Sequence, residues 1–251
     1  MISCRRPFVT LAGLLLSWSG LAAPLSEVVK QKEEGQALAA ELRSQRPTEN
    51  AELTGVLKIR DGASQRSELV IRFQVIVGDG FWKAVYQTQP GPRAGAEKLI
   101  VIHTDGRPNQ YLIGRAEKSE SQLPELVPCL QSMKPFAGTD FWLADLGMEF
   151  LHWPEQRLIK KEMRRGRSCK VLESTNPQLG KGAYGRVRSW IDSESAQLIL
   201  AEVYDSENRL LKAFSVGSVK KVRGRWELKD MEIRNEQTDS LTRLVFDLDE
   251  K

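Results

Sequence analysis

The chain has 251 residues, with 37 Lys and Arg against 33 Asp and Glu and a formal charge of +4. So small a surplus excludes a dedicated nucleic-acid binder, which carries a large basic excess. Only two histidines are present, and neither sits in a ligand-spaced motif, which argues against a metal centre.

The first 22 residues read as a secretory signal peptide. Arg5 and Arg6 form a basic start, Phe8–Trp18 is an apolar run, and Gly20-Leu21-Ala22 supplies small residues at the −3 and −1 positions. Cleavage after Ala22 is preferred, because cleavage after Ala23 would leave Pro24 at +1. Cys4 precedes the apolar run and is no lipidation cysteine. The two arginines suit an ordinary basic start as well as a twin-arginine signal. Removing Arg5 and Arg6 from 37 leaves 35 basic residues against 33 acidic. No later segment approaches ~20 apolar residues, so no membrane span is expected after the signal. The expectation is export to the periplasm and one domain over residues 23–251, without repeat, linker or low-complexity tract.

Leu25 to about Arg46 has helical spacing, with Leu25, Val28, Val29, Leu38, Ala39 and Leu42 as its apolar positions and Pro47 as its stop. The period then changes to two. Leu53, Leu57 and Ile59 alternate with polar residues, and Leu69, Ile71, Phe73, Val75 and Val77 form the clearest stripe. Gly78-Asp79-Gly80 is a turn, after which Trp82, Ala84 and Tyr86 open another strand. Lys98–Thr104 and Tyr111–Gly114 continue the pattern. Thr139-Asp140 suits a helix start, and Pro154 a stop, so a helix is expected near 139–153. Phe141, Trp142, Leu146 and Phe150 crowd one broad side of it, and such a helix must be covered. From Gln156 the chain returns to strands, at about 157–164, 168–174, 186–192, 197–205, 209–217, 225–234 and 241–247. Short strands with close turns mean an antiparallel meander.

Catalytic motifs are scarce. Residues 180–187, GKGAYGRV, fit the glycine-rich phosphate loop of protein kinases letter for letter. No V-A-I-K strand, H-R-D or D-F-G follows, and a strand-like run replaces the helix that a dinucleotide fold needs. There is no G-x-S-x-G nucleophile elbow, and no Cys-His arrangement supports a catalytic thiol. The chain is therefore expected to be non-enzymatic and to need no cofactor. Cys129 and Cys169 are the two cysteines after the signal, and in an oxidising compartment they are expected to form one disulfide. Arg157, Lys160, Lys161, Arg164, Arg165 and Arg167 lie within 11 residues. They read either as a patch for anionic lipid or an acidic partner, or as an ordinary solvated strand.

The C-terminal half, about 138–247, resembles the LolA-like periplasmic family of outer-membrane lipoprotein-sorting proteins. The matching residues are Gly138-Thr139-Asp140-Phe141 with Ala144-Asp145-Leu146, then Cys169-Lys170-Val171-Leu172-Glu173, Pro177, Tyr184 and Trp190-Ile191-Asp192. Tyr204-Asp205, Leu210-Leu211-Lys212, Trp226, Met231-Glu232, Asn235 and Thr238 complete the series. The resemblance implies an α+β, mainly β fold. Its strongly curved antiparallel sheet is a half-open barrel, with helices packed in the concave face. It also implies a groove for acyl chains or a lipidated protein. Its walls are expected from Leu69, Ile71, Phe73, Val75, Trp82 and Tyr86 on the sheet, and from Phe141, Trp142, Leu146 and Phe150 above it.

Two functions follow. One is a periplasmic carrier or chaperone for acyl chains or a lipoprotein, acting as a monomer and serving lipoprotein sorting to the outer membrane. The other is an envelope interaction or sensor module on the same fold, with a filled core and no ligand, meeting an envelope protein partner. N-terminal sequencing of the protein from the cell envelope is expected to begin at Ala23. An intact Met1 there would contradict the export reading.

Overall fold

A computed structural model describes residues 25–91, 95–116, 126–178, 180, 183–222 and 225–248. The expected signal peptide lies outside them. Helix α1 (Leu25–Ser44) leads into β1 (Ala51–Arg60), β2 (Arg66–Gly78), β3 (Phe81–Thr88), β4 (Glu97–Thr104), β5 (Gln110–Arg115) and the short β6 (Val127–Pro128). After a loop come α2 (Leu143–Leu146) and a 3-10 turn (Glu149–His152). The second run is β7 (Glu155–Arg164), β8 (Arg167–Thr175), β9 (Tyr184–Asp192), β10 (Leu198–Asp205), β11 (Leu210–Val222), β12 (Arg225–Asn235) and β13 (Ser240–Asp247).

All thirteen strands form one sheet in the order β6-β5-β4-β3-β2-β1-β13-β12-β11-β10-β9-β8-β7. Each half is a meander, and the first and last strands join them antiparallel from Thr54↔Asp247 to Arg60↔Leu241. Bulges interrupt the register at Leu158/Lys160, Val203/Tyr204 and Val216/Ser218. Bulges add local twist, which helps a long sheet curl around one face. The period-two stripes account for the result. Leu57, Leu69, Ile71, Tyr86, Leu99, Val101 and Leu244 pack into one core under the middle strands. A second core joins Leu38, Ala39 and Leu42 of α1 to Leu158, Leu172, Val187 and Val203 of the later strands. The expected fold class is the observed one.

The first turns of α1 depart from expectation. Leu25, Val28 and Val29 are exposed, and the buried stripe is Gly35, Leu38, Ala39 and Leu42. Gly35 sets the approach. A Cβ there would lie 2.5–2.7 Å from backbone atoms of Arg157 on β7. Hydrogen bonds flank this contact, Arg157 to Gln31 at 2.9 Å and Lys32 to Glu155 at 3.0 Å.

The 139–153 helix is replaced by two short turns. Gly147 follows α2, and Met148 adopts a left-handed conformation with φ 47°. Tertiary contacts override the helical pattern here. Asp140 does not cap a helix. Its carboxylate accepts bonds from Ser240 and Thr242 of β13, and its backbone N–H donates to Thr242 Oγ1 at 3.0 Å.

The expected disulfide is also absent, since Cys129 and Cys169 are both free. They pack into different clusters. Cys129 packs at the margin of the core beneath the middle strands. Cys169 is buried with Val171, Trp190 and Ile199 in a third cluster to which no helix contributes. Its β8 neighbour Leu172 points the other way, into the core shared with α1. Burial pushes the Cys169 thiol above its usual range, which leaves it a weak nucleophile.

Gly35→Ala tests the helix–strand contact. Alanine gains up to about 1 kcal/mol of helix propensity. Backbone cannot yield to its methyl group as a flexible side chain would, so a net loss of about 1–3 kcal/mol is expected. Urea denaturation checks it, and an unchanged or raised midpoint would contradict the packing described.

Candidate functional site

Between the two halves of the sheet lies a cavity of about 610 Å³. Its floor takes Leu53 from β1, Phe73 from β2, Tyr86 from β3, Phe214 from β11, Leu228 and Met231 from β12, and Phe246 from β13. Its roof is Phe141, Leu146, Met148 and Phe150. The rings are close: Phe73 lies 4.9 Å from Tyr86 and 5.9 Å from Phe246, centroid to centroid. Leu53, Phe73, Leu146, Phe214, Leu228 and Met231 are only half-buried, although they adjoin a packed core. These side chains retain apolar surface that a ligand can cover.

Of the ten residues expected to line a groove, Phe73, Tyr86, Phe141, Leu146 and Phe150 meet in this cavity. Leu69 and Ile71 are buried in the core instead. Val75 is half-buried nearer the end of β2 and does not reach the cavity. Trp82 stacks on His103 at 3.8 Å and lines a separate, more polar cleft of about 640 Å³ with His103, Asn109 and His152. Burial, then the neighbouring His152, pulls His103 down to about 4, so its imidazole is neutral at ordinary pH. Trp142 faces away from the groove and stacks on Tyr184 at 4.8 Å.

The roof is bolted to the sheet by a buried lysine. Lys212 of β11 has no exposed surface. Its ammonium donates to Asp140 O at 2.7 Å, Tyr184 Oη at 2.7 Å and Asp145 Oδ2 at 3.2 Å. It also lies 3.8 Å above the Trp142 ring. Tyr184 donates to Asp145, which in turn accepts from the Trp142 backbone N–H at 2.8 Å. Three donors of one ammonium are thus matched by three oxygens, which a buried cation requires. Further side chains satisfy the roof's carbonyls. Asn109 donates to Gly147 O at 2.6 Å and Gln156 to Phe150 O at 2.9 Å and Trp153 O at 2.8 Å. Arg43 of α1 donates to Leu151 O.

Tyr184 belongs to the glycine-rich segment that mimics a phosphate loop. The structure places Gly185 in β9, where a Cβ would lie 2.5 Å from Asp205 O, so the glycine serves strand approach. Sequence reasoning missed Lys212. The available signal was a lysine in phase with Phe214 and Val216 on one strand.

The six basic residues do not form one patch. Arg157 lies under α1. Lys160 pairs with Glu162 at 2.7 Å, and Arg164 lies 5.3 Å from the Trp190 ring. Arg167 is held by Asp192, and Lys161 is exposed on β7. Arg165 stands apart: from the β7–β8 turn it reaches across the sheet to Val216 O of β11 at 2.6 Å.

A family model described as "Uncharacterized protein" matches residues 85–248. The chain belongs to that family. No curated protein matches it. Solved structures show the fold. A DUF1329 family protein from Desulfovibrio piger has a TM-score of 0.70 at 17% identity, over 86% of this chain and 91% of that one. A putative outer membrane lipoprotein-sorting protein domain from Vibrio parahaemolyticus has a TM-score of 0.70 at 19% identity, with the same coverage. A LolA superfamily protein from Nitrosomonas europaea has a TM-score of 0.57 at 16% identity over 86% and 91%. The sheet is therefore of the LolA type.

The lysine bolt makes a pH prediction. Burial draws the Lys212 pKa from 10.5 down to about 8, against the opposing pull of Asp145. Between those values the unfolded chain binds the proton and the folded chain does not, so stability rises with pH. The gain expected at pH 10 relative to pH 7 is about 2–3 kcal/mol. Tyr184, whose pKa burial raises well above 10, opposes the trend only at higher pH. Denaturant titrations of the wild type and Lys212→Met isolate the effect. A difference between them that stays flat from pH 7 to pH 10 would contradict it.

Proposed function

We propose that the protein is a periplasmic, non-enzymatic carrier that holds acyl chains, free or attached to a lipidated protein, in the groove beneath the 135–153 segment. The observation that carries this reading is the set of half-buried large apolar side chains around one cavity of about 610 Å³. That volume is within the ~300–1,000 Å³ common for ligand sites. The lining offers contact along a flexible hydrocarbon and few polar groups to read a compact metabolite. The lipoprotein-sorting domain from Vibrio parahaemolyticus supports the reading through its shared fold. Among the described residues no helix is long and apolar enough to cross a membrane.

Titration with fatty acids or lipopeptides below their micelle concentrations tests the proposal. Affinity is expected to rise about fourfold per added methylene, the equivalent of ~0.8 kcal/mol of burial each, until the groove is filled. Leu146→Glu places a carboxylate in the roof and is expected to abolish binding while the circular-dichroism spectrum persists. No binding by the wild type, and no lipid in native mass spectra of protein from its own envelope, would favour the filled-core interaction module.

A further inference from the structure

Beside the apolar groove lies a second cavity of about 470 Å³, and Met148, Phe150, Leu198 and Leu228 line both. Their linings differ in kind. The carboxylates of the apolar section, Glu52, Asp145 and Glu227, belong to the first cavity alone. Among the described residues no Asp or Glu lines the second, which instead presents Arg165, Arg167, Gln45, Gln197 and Ser218, the last donating to Asp230 behind it.

Arg165 is the distinctive group. Arg167 is neutralised by Asp192, which is 5% exposed in its side chain. Among the described residues no carboxylate pairs with Arg165, whose guanidinium is oriented by the Val216 carbonyl alone. One end of a forked donor is thereby fixed and the rest stays open to an acceptor. Arg165 and Gly166 both have positive φ, 51° and 75°, as a two-residue hairpin turn demands. Asn, Asp or Gly suits the first of those positions better than Arg.

Resting on the carrier reading above, we infer that the cavity beside Arg165 is a head-group seat, so that the cargo is an acyl lipid with an anionic phosphate head. The chain occupies the apolar groove, and the phosphate oxygens accept hydrogen bonds from the Arg165 guanidinium, with the Gln45, Gln197 and Ser218 side chains around it. A bidentate guanidinium–phosphate contact adds direction as well as charge.

Three lipids with one palmitoyl chain, each below its micelle concentration, test this: lysophosphatidylglycerol, lysophosphatidylcholine and monopalmitoylglycerol. Wild-type protein is expected to bind the first about tenfold more tightly than the third, with the second, whose phosphate is offset by its choline, in between. Arg165→Asn keeps the turn and is expected to fold at least as stably. It should bind all three alike, at the wild-type affinity for monopalmitoylglycerol. Glycerol 3-phosphate, the head without the chain, is expected to bind more than a hundredfold more weakly than the lysolipid. Equal wild-type affinities would overturn the seat and leave the carrier standing, as would a preference that survives Arg165→Asn. Glycerol 3-phosphate binding as tightly as the lysolipid would identify a free-anion site instead. Failure of all three lipids to bind would remove the carrier reading and this inference together.

Discussion

A single ammonium group buried under an aromatic ring holds the architecture of the groove. Lys212 reaches from the sheet to the segment above it and meets Asp140, Asp145 and Tyr184 at once. Without that contact the centre of the 135–153 segment would lose its joint tie to β9 and β11, leaving only the bonds of Asp140 to β13 and of the later carbonyls to direct apolar packing, which is itself non-directional. The polar network fixes its register. Phe141 is set into the core of the middle strands and Phe150 into the core shared with α1. Leu146 is left between them with part of its surface uncovered. A buried ion pair is weak evidence of stability in itself, but it specifies one arrangement over others of similar hydrophobic content. Here the arrangement specified is one that leaves space.

The groove has a division of labour. Its floor comes from strands distant in sequence, β1 to β3 on one side and β10 to β13 on the other, so its width follows from the curvature of a continuous sheet. Its roof is short and irregular, with its carbonyls met by side chains from the loop before β5, from β7 and from α1. A regular helix would satisfy those groups internally and move as a rod. This segment is tied at several separate points, and a ligand entering beneath it meets resistance from each.

Strands were legible in the sequence because burial on one face imposes period two, and Leu69-Ile71-Phe73 and Trp82-Ala84-Tyr86 show it plainly. Helix α1 was legible in extent and less so in facing, since the position that governs its packing is Gly35, which carries no hydrophobic signal. The 139–153 segment was misread because its apolar crowding suits either a helix or a ribbon shared between two cores. Asp140 and Asp145, which decide the matter, look like capping residues until their partners on β13, β9 and β11 are known. The groove was half legible. Aromatic residues marked the roof, but Leu69 and Ile71 differ from Phe73 only in their distance from the end of the strand. Local patterning cannot express that distance. The basic run of 157–167 misled in the opposite sense, because strand alternation and a turn send neighbouring charges to different places.

The pairing of β1 with β13 carries a consequence for the life of the chain before it is folded. Seven residue pairs, Thr54↔Asp247 through Arg60↔Leu241, join segments almost two hundred positions apart. Loop closure over such a span comes late, and contacts of high sequence separation slow folding. While the chain emerges from N-terminus to C-terminus, the strands from β1 to β6 can pair as a meander, but β1 keeps an open edge until Ser240–Asp247 arrives. That edge carries Leu53, Leu57 and Ile59, a template for pairing with any other extended chain. The interval between emergence of the first meander and arrival of the last strand is therefore the period of greatest aggregation hazard for this protein, and a chaperone that masks an exposed strand edge would act on it then.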